Sequence, residues 1–113
     1  MNIRYSKGFQ KEFLKQSGKI RESILNVIRE VKLAETLEDI TDCKGLTGYK
    51  NIYRIRIGNH RAFFYIEITE DTLYFLYLVS RGEAYKKEMR EKLQNKDKEI
   101  QKEKEKKENE ENE

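Results

Sequence analysis

Arginines and apolar residues alternate along Tyr53–Phe64, which reads Tyr-Arg-Ile-Arg-Ile-Gly-Asn-His-Arg-Ala-Phe-Phe. Ile55 and Ile57 alternate with Arg54 and Arg56, the period-2 pattern of a strand with one buried and one exposed face. Gly58-Asn59 is a two-residue hairpin signal, because both residues tolerate positive φ. A turn there pairs Ile57 with His60, Arg56 with Arg61 and Arg54 with Phe63. Arg54, Arg56 and Arg61 then share one face. Two guanidiniums about 5.5 Å apart repel by roughly 1–3 kcal/mol. A solvated basic face is the bland account of any two such arginines. Three around one hairpin favour a polyanion lying between them, which turns the repulsion into binding.

The 113 residues amount to one domain at most. Residues 1–90 hold 17 Lys/Arg and 12 Asp/Glu, a net +5, and residues 91–113 hold 7 and 9, a net −2. The formal +3 of the whole chain thus hides a basic body and a slightly acidic tail. A basic body points to nucleic acid or another polyanion. Cys43 is the single cysteine, so no intramolecular disulfide forms and a reducing compartment is expected. No apolar run approaches a membrane span, and the N-terminus lacks a signal-peptide core. The expectation is a cytoplasmic protein with no membrane partner. One histidine and one cysteine give no metal-ligand spacing, and no glycine-rich phosphate loop is present. No metal or small-molecule cofactor is expected.

The hairpin needs elements to position it. Asn2–Tyr5 has the alternation of a short strand. Ser6 is placed to cap a helix over about Lys7–Gln16, which Ser17-Gly18 breaks. Ile20, Ile24, Val27, Ile28 and Val31 form one stripe at helical period. Two amphipathic helices joined by so short a break form an antiparallel pair, and its apolar side must pack on a sheet. Thr36-Leu37-Glu38-Asp39 resembles a capping box, and Asp42–Lys50 is expected to be loop carrying Lys44 and Lys50. Strands Ile52–Ile57, Arg61–Ile68 and Leu73–Ser80 form a meander, with Thr69–Thr72 as its second turn. Setting Ile68 opposite Leu73 puts Ser80 opposite Arg61 and brings Arg81 close to His60. Arg81 then joins Arg56 and Arg61 at one end of the sheet, an inference that a one-residue slip would undo.

That register places Phe64, Phe75 and Tyr77 in the core beneath the helices. Phe63 and Tyr65 share the arginine face, where they stack on bases or are covered by the C-terminal helix or a partner. His60 falls on the opposite face from Arg61 and is read as structural. Gly82 to about Gln94 is expected to be one helix with Tyr85, Met89 and Leu93 aligned. From Asn95 the chain is Lys/Glu/Asn-rich, with Ile100 as its one large apolar residue. That segment is expected to bury no core face and to be disordered or a solvated single helix. The division is therefore a domain over residues 1–92 and a charged tail over 93–113.

The stretch Leu46–Tyr65, and above all Tyr53–Arg61, resembles the signature of the RelE/ParE superfamily of bacterial toxin–antitoxin toxins. There, a strand with two basic residues turns at a glycine-containing hairpin into a strand that starts with arginine. Val79-Ser80-Arg81-Gly82-Glu83-Ala84-Tyr85 is similar to the RelE-type ending, an arginine on the last strand followed by a tyrosine. The resemblance covers about residues 1–92. It implies an α+β fold with a helical hairpin on an antiparallel meander and a C-terminal helix. It also implies a toxin neutralised by a cognate antitoxin protein.

RelE-like members enter the ribosomal A site and cut mRNA by attack of the ribose 2′-OH on the adjacent phosphate. ParE-like members inhibit DNA gyrase without cutting nucleic acid, and a decayed toxin would only bind antitoxin or RNA. The RelE-type ending favours the first. On that branch the resemblance makes Arg54 and Arg56 phosphate contacts. Arg61 stabilises the phosphorane, Arg81 lies near the leaving group, and Tyr85 stacks on a base or assists proton transfer. Catalysis is thus expected of Arg56, Arg61, Arg81 and Tyr85, and RNA binding of Lys44, Lys50, Arg54 and Phe63. The chain departs from the pattern in proton transfer. Some members have lysine at the position of Arg56, and others have a histidine before the tyrosine, where this chain has Ala84. Arginine stays protonated, so the general base is unassigned.

Overall fold

The computed structural model describes Met1–Glu111. Its elements are β1 (Asn2–Tyr5), α1 (Lys7–Leu14), α2 (Gly18–Leu33), a 3-10 turn (Leu37–Asp39), β2 (Cys43–Gly45), β3 (Tyr53–Ile57), β4 (His60–Glu67), β5 (Thr72–Ser80), α3 (Arg81–Ala84) and α4 (Lys87–Glu111). The fold is α+β, with the expected helical hairpin lying against the β3–β4–β5 meander. The sheet is wider than that meander, in the order β1-β5-β4-β3-β2. β1 pairs in parallel with β5, and β2 pairs antiparallel with β3. The residues Cys43–Gly45, expected as loop, are thus an edge strand. Three residues are too few to show alternation, so only their pairing reveals it.

Local chemistry explains the helix starts. Ser6 Oγ accepts from Phe9 N at 3.0 Å, satisfying a free donor of α1, and itself donates to Leu76 O at 2.5 Å. The cap thereby fastens α1 to β5. In the 3-10 turn, the Asp39 carboxylate accepts from the backbone N–H groups of Glu35 and Thr36, which hold its pKa below the usual value. The β3–β4 turn uses Gly58 at φ +55°, while Asn59 stays outside the positive region, the sign pattern of a hairpin with glycine first.

The β3–β4 register is as expected, with Arg56 opposite Arg61 and Arg54 opposite Phe63. The β4–β5 register is not. Glu67 pairs with Thr72, so the turn spans Ile68–Asp71, and Asp71 takes φ +48° within it. An irregularity at Phe63/Phe64 then leaves Leu76 as an extra residue on β5, the count of a β-bulge. Beyond it Phe63 faces Tyr77, Arg61 faces Val79 and His60 faces Ser80. The expected Arg61–Ser80 pairing is therefore corrected by one residue. The bulge also corrects Tyr77, which joins Leu76 on the face away from the helical hairpin.

Each face of the sheet has its own core. On one side Phe9, Ile24 and Val31 meet Ile55, Ile57, Ala62, Phe64, Leu73 and Phe75. On the other, Ile52, Phe63, Leu76 and Ala84 are covered by Met89, Leu93 and Ile100 of α4. The single helix expected over Gly82–Gln94 is two, with Tyr85 at the break between α3 and α4. α4 crosses the expected boundary at residues 92 and 93 without interruption. The charged segment is helical, as one of its two expected forms, yet it does bury a core face. Leu93 and Ile100 fall at i and i+7 of one stripe, which is enough to dock an otherwise polar helix.

Polar contacts complete that docking. The Asp97 carboxylate accepts from Lys50 N (3.0 Å), Asn51 N (2.8 Å) and Asn51 Nδ2 (3.1 Å). Lys104 Nζ donates to Asn51 Oδ1 at 2.6 Å. Asn51 is buried, so these partners satisfy groups that would otherwise be stranded. Ile100→Ala should therefore lower the unfolding free energy by about 2 kcal/mol. Lys102→Ala, on an exposed position of the same helix, should change it by less than about 0.5 kcal/mol. Urea denaturation of the two variants measures the difference, and equal midpoints would show that the extension does not pack.

Candidate functional site

A groove of about 350 Å³ opens between the β2–β3 edge of the sheet and the α3–α4 junction. Lys44, Arg54, Arg56 and Arg90 line it with Tyr49 and Tyr85, and no carboxylate does. The strands dictate this crowding. Lys44 pairs directly with Arg54 across β2–β3, and Arg56 with Arg61 across β3–β4. Two like-charge pairs on neighbouring strands are unfavourable in the free protein. Among the described residues no ion pair relieves any of these cations, although Lys/Glu pairs are frequent elsewhere on the surface. Arg54 is only 5% exposed, so its charge is held largely out of water.

Of the residues singled out in the sequence, Lys44, Arg54, Arg56 and Tyr85 come together here. Arg61 lies beside the groove rather than in it. Its side chain is 6% exposed, and Nη1 donates to Gly58 O (2.9 Å) and His60 O (2.8 Å). It ties down the turn whose glycine has positive φ. Its Nε is buried without a partner. Arg81 is exposed, and its backbone N donates to Asn59 O at 2.7 Å. The first residue of α3 is therefore pinned to the hairpin turn, which brings Arg81 to the expected end of the sheet despite the shifted register.

Two expected residues stand elsewhere. Phe63 is fully buried under α3 and α4, so no base can stack on it. It instead supports the Tyr85 ring edge-on at 6.5 Å, and Tyr85 as a whole is 51% exposed. The correction follows from α4, whose Leu93 and Met89 cover the strand face that the sequence left open. Lys50 does not line the groove, and its backbone N–H belongs to the Asp97 clamp. His60 lies where expected, on the Ile57 side of the sheet and away from Arg61, with Nδ1 buried and unpartnered.

Two lining residues with ionisable side chains, Tyr49 and Arg90, are not among those that the sequence singles out. Tyr49 donates through Oη to Arg90 O at 3.4 Å. Burial pushes its phenol pKa up, against the Arg90 charge that favours the anion. Arg90 left a faint signal in the sequence: its helical neighbours at three and four residues are Lys86, Lys87, Leu93 and Gln94, with no acid among them. Among the described residues no group of three or more His, Cys, Asp or Glu side chains is placed to hold a metal ion. Nor is any helix long and apolar enough to cross a membrane.

No family model matches the chain. Toxin RelE3 of Methanocaldococcus jannaschii is 36% identical over 86 residues, spanning 75% of this chain and 96% of that protein. The chain belongs to the RelE toxin family. The RelB-RelE antitoxin-toxin complex from Methanococcus jannaschii aligns with a TM-score of 0.61 at 32% identity, covering 72% of this chain and 93% of that one. The archaeal RelE-RelB complex from Pyrococcus horikoshii OT3 gives the same TM-score at 19% identity, over 74% and 97%, a likeness of fold. The α+β fold, with its five-stranded sheet and helices, thus matches that of the RelE toxins.

In this RelE toxin Cys43 is a half-buried thiol on the core side of the sheet. Burial raises its pKa to about 11. The thiol therefore stays protonated at neutral pH, and its alkylation by iodoacetamide should accelerate only as pH approaches that value. A fast reaction at pH 8 would contradict the assignment. Arg61→Ala should lower stability by about 1.5–3 kcal/mol through loss of its two charge-assisted bonds. Arg81→Ala, exposed, should stay within about 0.5 kcal/mol of the parent. Thermal or urea unfolding distinguishes the two.

Proposed function

We propose that this RelE toxin is a ribosome-dependent mRNA endoribonuclease. The observation that carries the reading is the pair of facing like charges, Lys44 with Arg54 and Arg56 with Arg61, beside a groove without carboxylates. Strands that hold cations opposite one another gain when a phosphodiester lies between them. The RelB–RelE complexes among its structural neighbours support a cognate antitoxin as its partner. The ribosomal A site would present the mRNA, and the site of action would be the cytoplasm. All the reacting groups fall within residues 1–92, the expected toxin domain.

In the reaction, the ribose 2′-oxygen attacks the adjacent phosphorus and loses its proton. The bond from phosphorus to the 5′-oxygen breaks, and that oxygen takes up a proton. The products are a 2′,3′-cyclic phosphate and a 5′-hydroxyl. Arg54 and Arg56 would bind the phosphate. Arg61 and Arg81, at the hairpin end, would stabilise the charge that grows on the pentavalent phosphorus and the leaving oxygen. Arginine does not give up its proton, so none of these is the base. The groove side chains able to exchange a proton are Lys44, Tyr49 and Tyr85. Tyr85, exposed at the α3–α4 break, would be open to a bound strand.

Primer extension on an mRNA in a cell-free translation reaction, with and without ribosomes, tests the proposal. The expected result is breaks within codons that appear only with ribosomes. Arg81→Ala should reduce cutting by about 10²-fold or more while the protein stays folded. Intact mRNA together with blocked gyrase supercoiling would overturn the nuclease in favour of gyrase inhibition.

A further inference from the structure

The Arg90 wall of the groove is not part of the hairpin signature. Arg90 lies on α4, facing a groove whose opposite side carries Lys44, Arg54 and Arg56. Among the described residues α4 holds two internal Lys–Glu pairs, Lys87 with Glu91 and Lys96 with Glu99. Arg90 stands apart from them. No acid lies three or four residues away along the helix, and among the described residues it makes no ion pair. A fourth unpaired cation added to a cluster already short of anions raises the cost of the empty groove. Its position is also fixed. Tyr49 Oη donates to its backbone oxygen, Leu93 is buried one turn on, and Asp97 clamps the next turn to Lys50 and Asn51.

We infer that Arg90 is a phosphate contact supplied by α4, so that single-stranded RNA is gripped from both walls of the groove. The inference deepens the nuclease reading and rests on it for the identity of the anion as RNA. Tyr49 and Tyr85 favour RNA over an acidic peptide, because aromatic rings beside unpaired cations offer faces to bases as well as charge to phosphates. The grip also makes α4 a part of the binding site and not only a cover for Phe63. A strand seated in the groove would be held by the sheet and by the helix at once.

Fluorescence anisotropy with a labelled, unstructured oligoribonucleotide over a series of KCl concentrations tests this. Arg90→Ala should weaken binding about ten-fold, as for one charge-assisted contact. It should also reduce the slope of log K against log salt by about 0.7, one phosphate on a single strand. Arg90→Lys should retain the slope, and Lys102→Ala, elsewhere on α4, should behave as wild type. An Arg90→Ala slope equal to that of Lys102→Ala overturns the contact, as does wild-type protein that shows no salt-dependent binding. Loss of poly-glutamate binding with RNA binding intact overturns it too, by assigning Arg90 to an acidic protein partner. The two readings separate cleanly. Wild-type protein that binds RNA through Arg90 but cuts no mRNA leaves the contact standing and removes the nuclease. Cutting that persists with an unchanged Arg90→Ala slope does the reverse.

Discussion

Alternation along β3 and β4 forces two chemically different sets of side chains onto opposite faces of the sheet. Successive side chains of a strand point to opposite faces, so Ile55, Ile57, Ala62 and Phe64 must go one way and Arg54, Arg56, Arg61 and Phe63 the other. The first set is sealed by α1 and α2. The second set is mixed, with Phe63 requiring burial and the arginines requiring an anion or water. The molecule resolves the conflict along the strand. α3 and α4 cover Phe63, and the cover stops short at the β2–β3 edge, leaving the cations on the walls of a groove.

The boundary between cover and groove is held by few contacts. Ala84, Met89 and Leu93 seat the helices on Phe63 and Leu76, while Asp97 and Lys104 grip Asn51 in the loop that leads into β3. That same loop contributes Leu46, Thr47 and Tyr49 to the groove. The charged extension is therefore not a bystander to the site. Its polar surface keeps it solvated, and its two apolar residues and one carboxylate set where it lies. The bulge at Leu76 serves the same end, because it lets Leu76 and Tyr77 face α4 together.

Arg61 shows how one residue can be asked for two things. Its guanidinium ties the Gly58 and His60 carbonyls, which fixes the tight turn between two arginine-bearing strands. A cation held that firmly needs little reorganisation when charge develops beside it, the condition under which electrostatic stabilisation is most effective. On the proposed nuclease reading, structural and chemical roles would be entangled at this position. Arg81 is free of that entanglement, because only its backbone is committed to the hairpin.

Whatever depends on local period and turn chemistry is legible in the residues alone. The Ile20–Val31 stripe, the Ser6 cap, the Gly58-Asn59 turn and the Arg56–Arg61 pairing all follow from residues a few positions apart, and all are present. The RelE-like fold was legible for the same reason, since its signature lies in one hairpin. Features that depend on distant partners are not legible there, because packing sets them. A bulge leaves no mark in the alternation of β5, so the faces of Tyr77 and Val79 were set only when β5 met β4. Cys43–Gly45 became a strand because β3 offered it an edge, which placed Lys44 opposite Arg54. Ile100 looked isolated until the sheet supplied its neighbours, and of the fates open to Phe63, base stacking or cover by the C-terminal helix or a partner, the docking of α4 selected the helix. Arg90, some thirty residues from the hairpin, reached the groove by the same docking of a helix on a sheet.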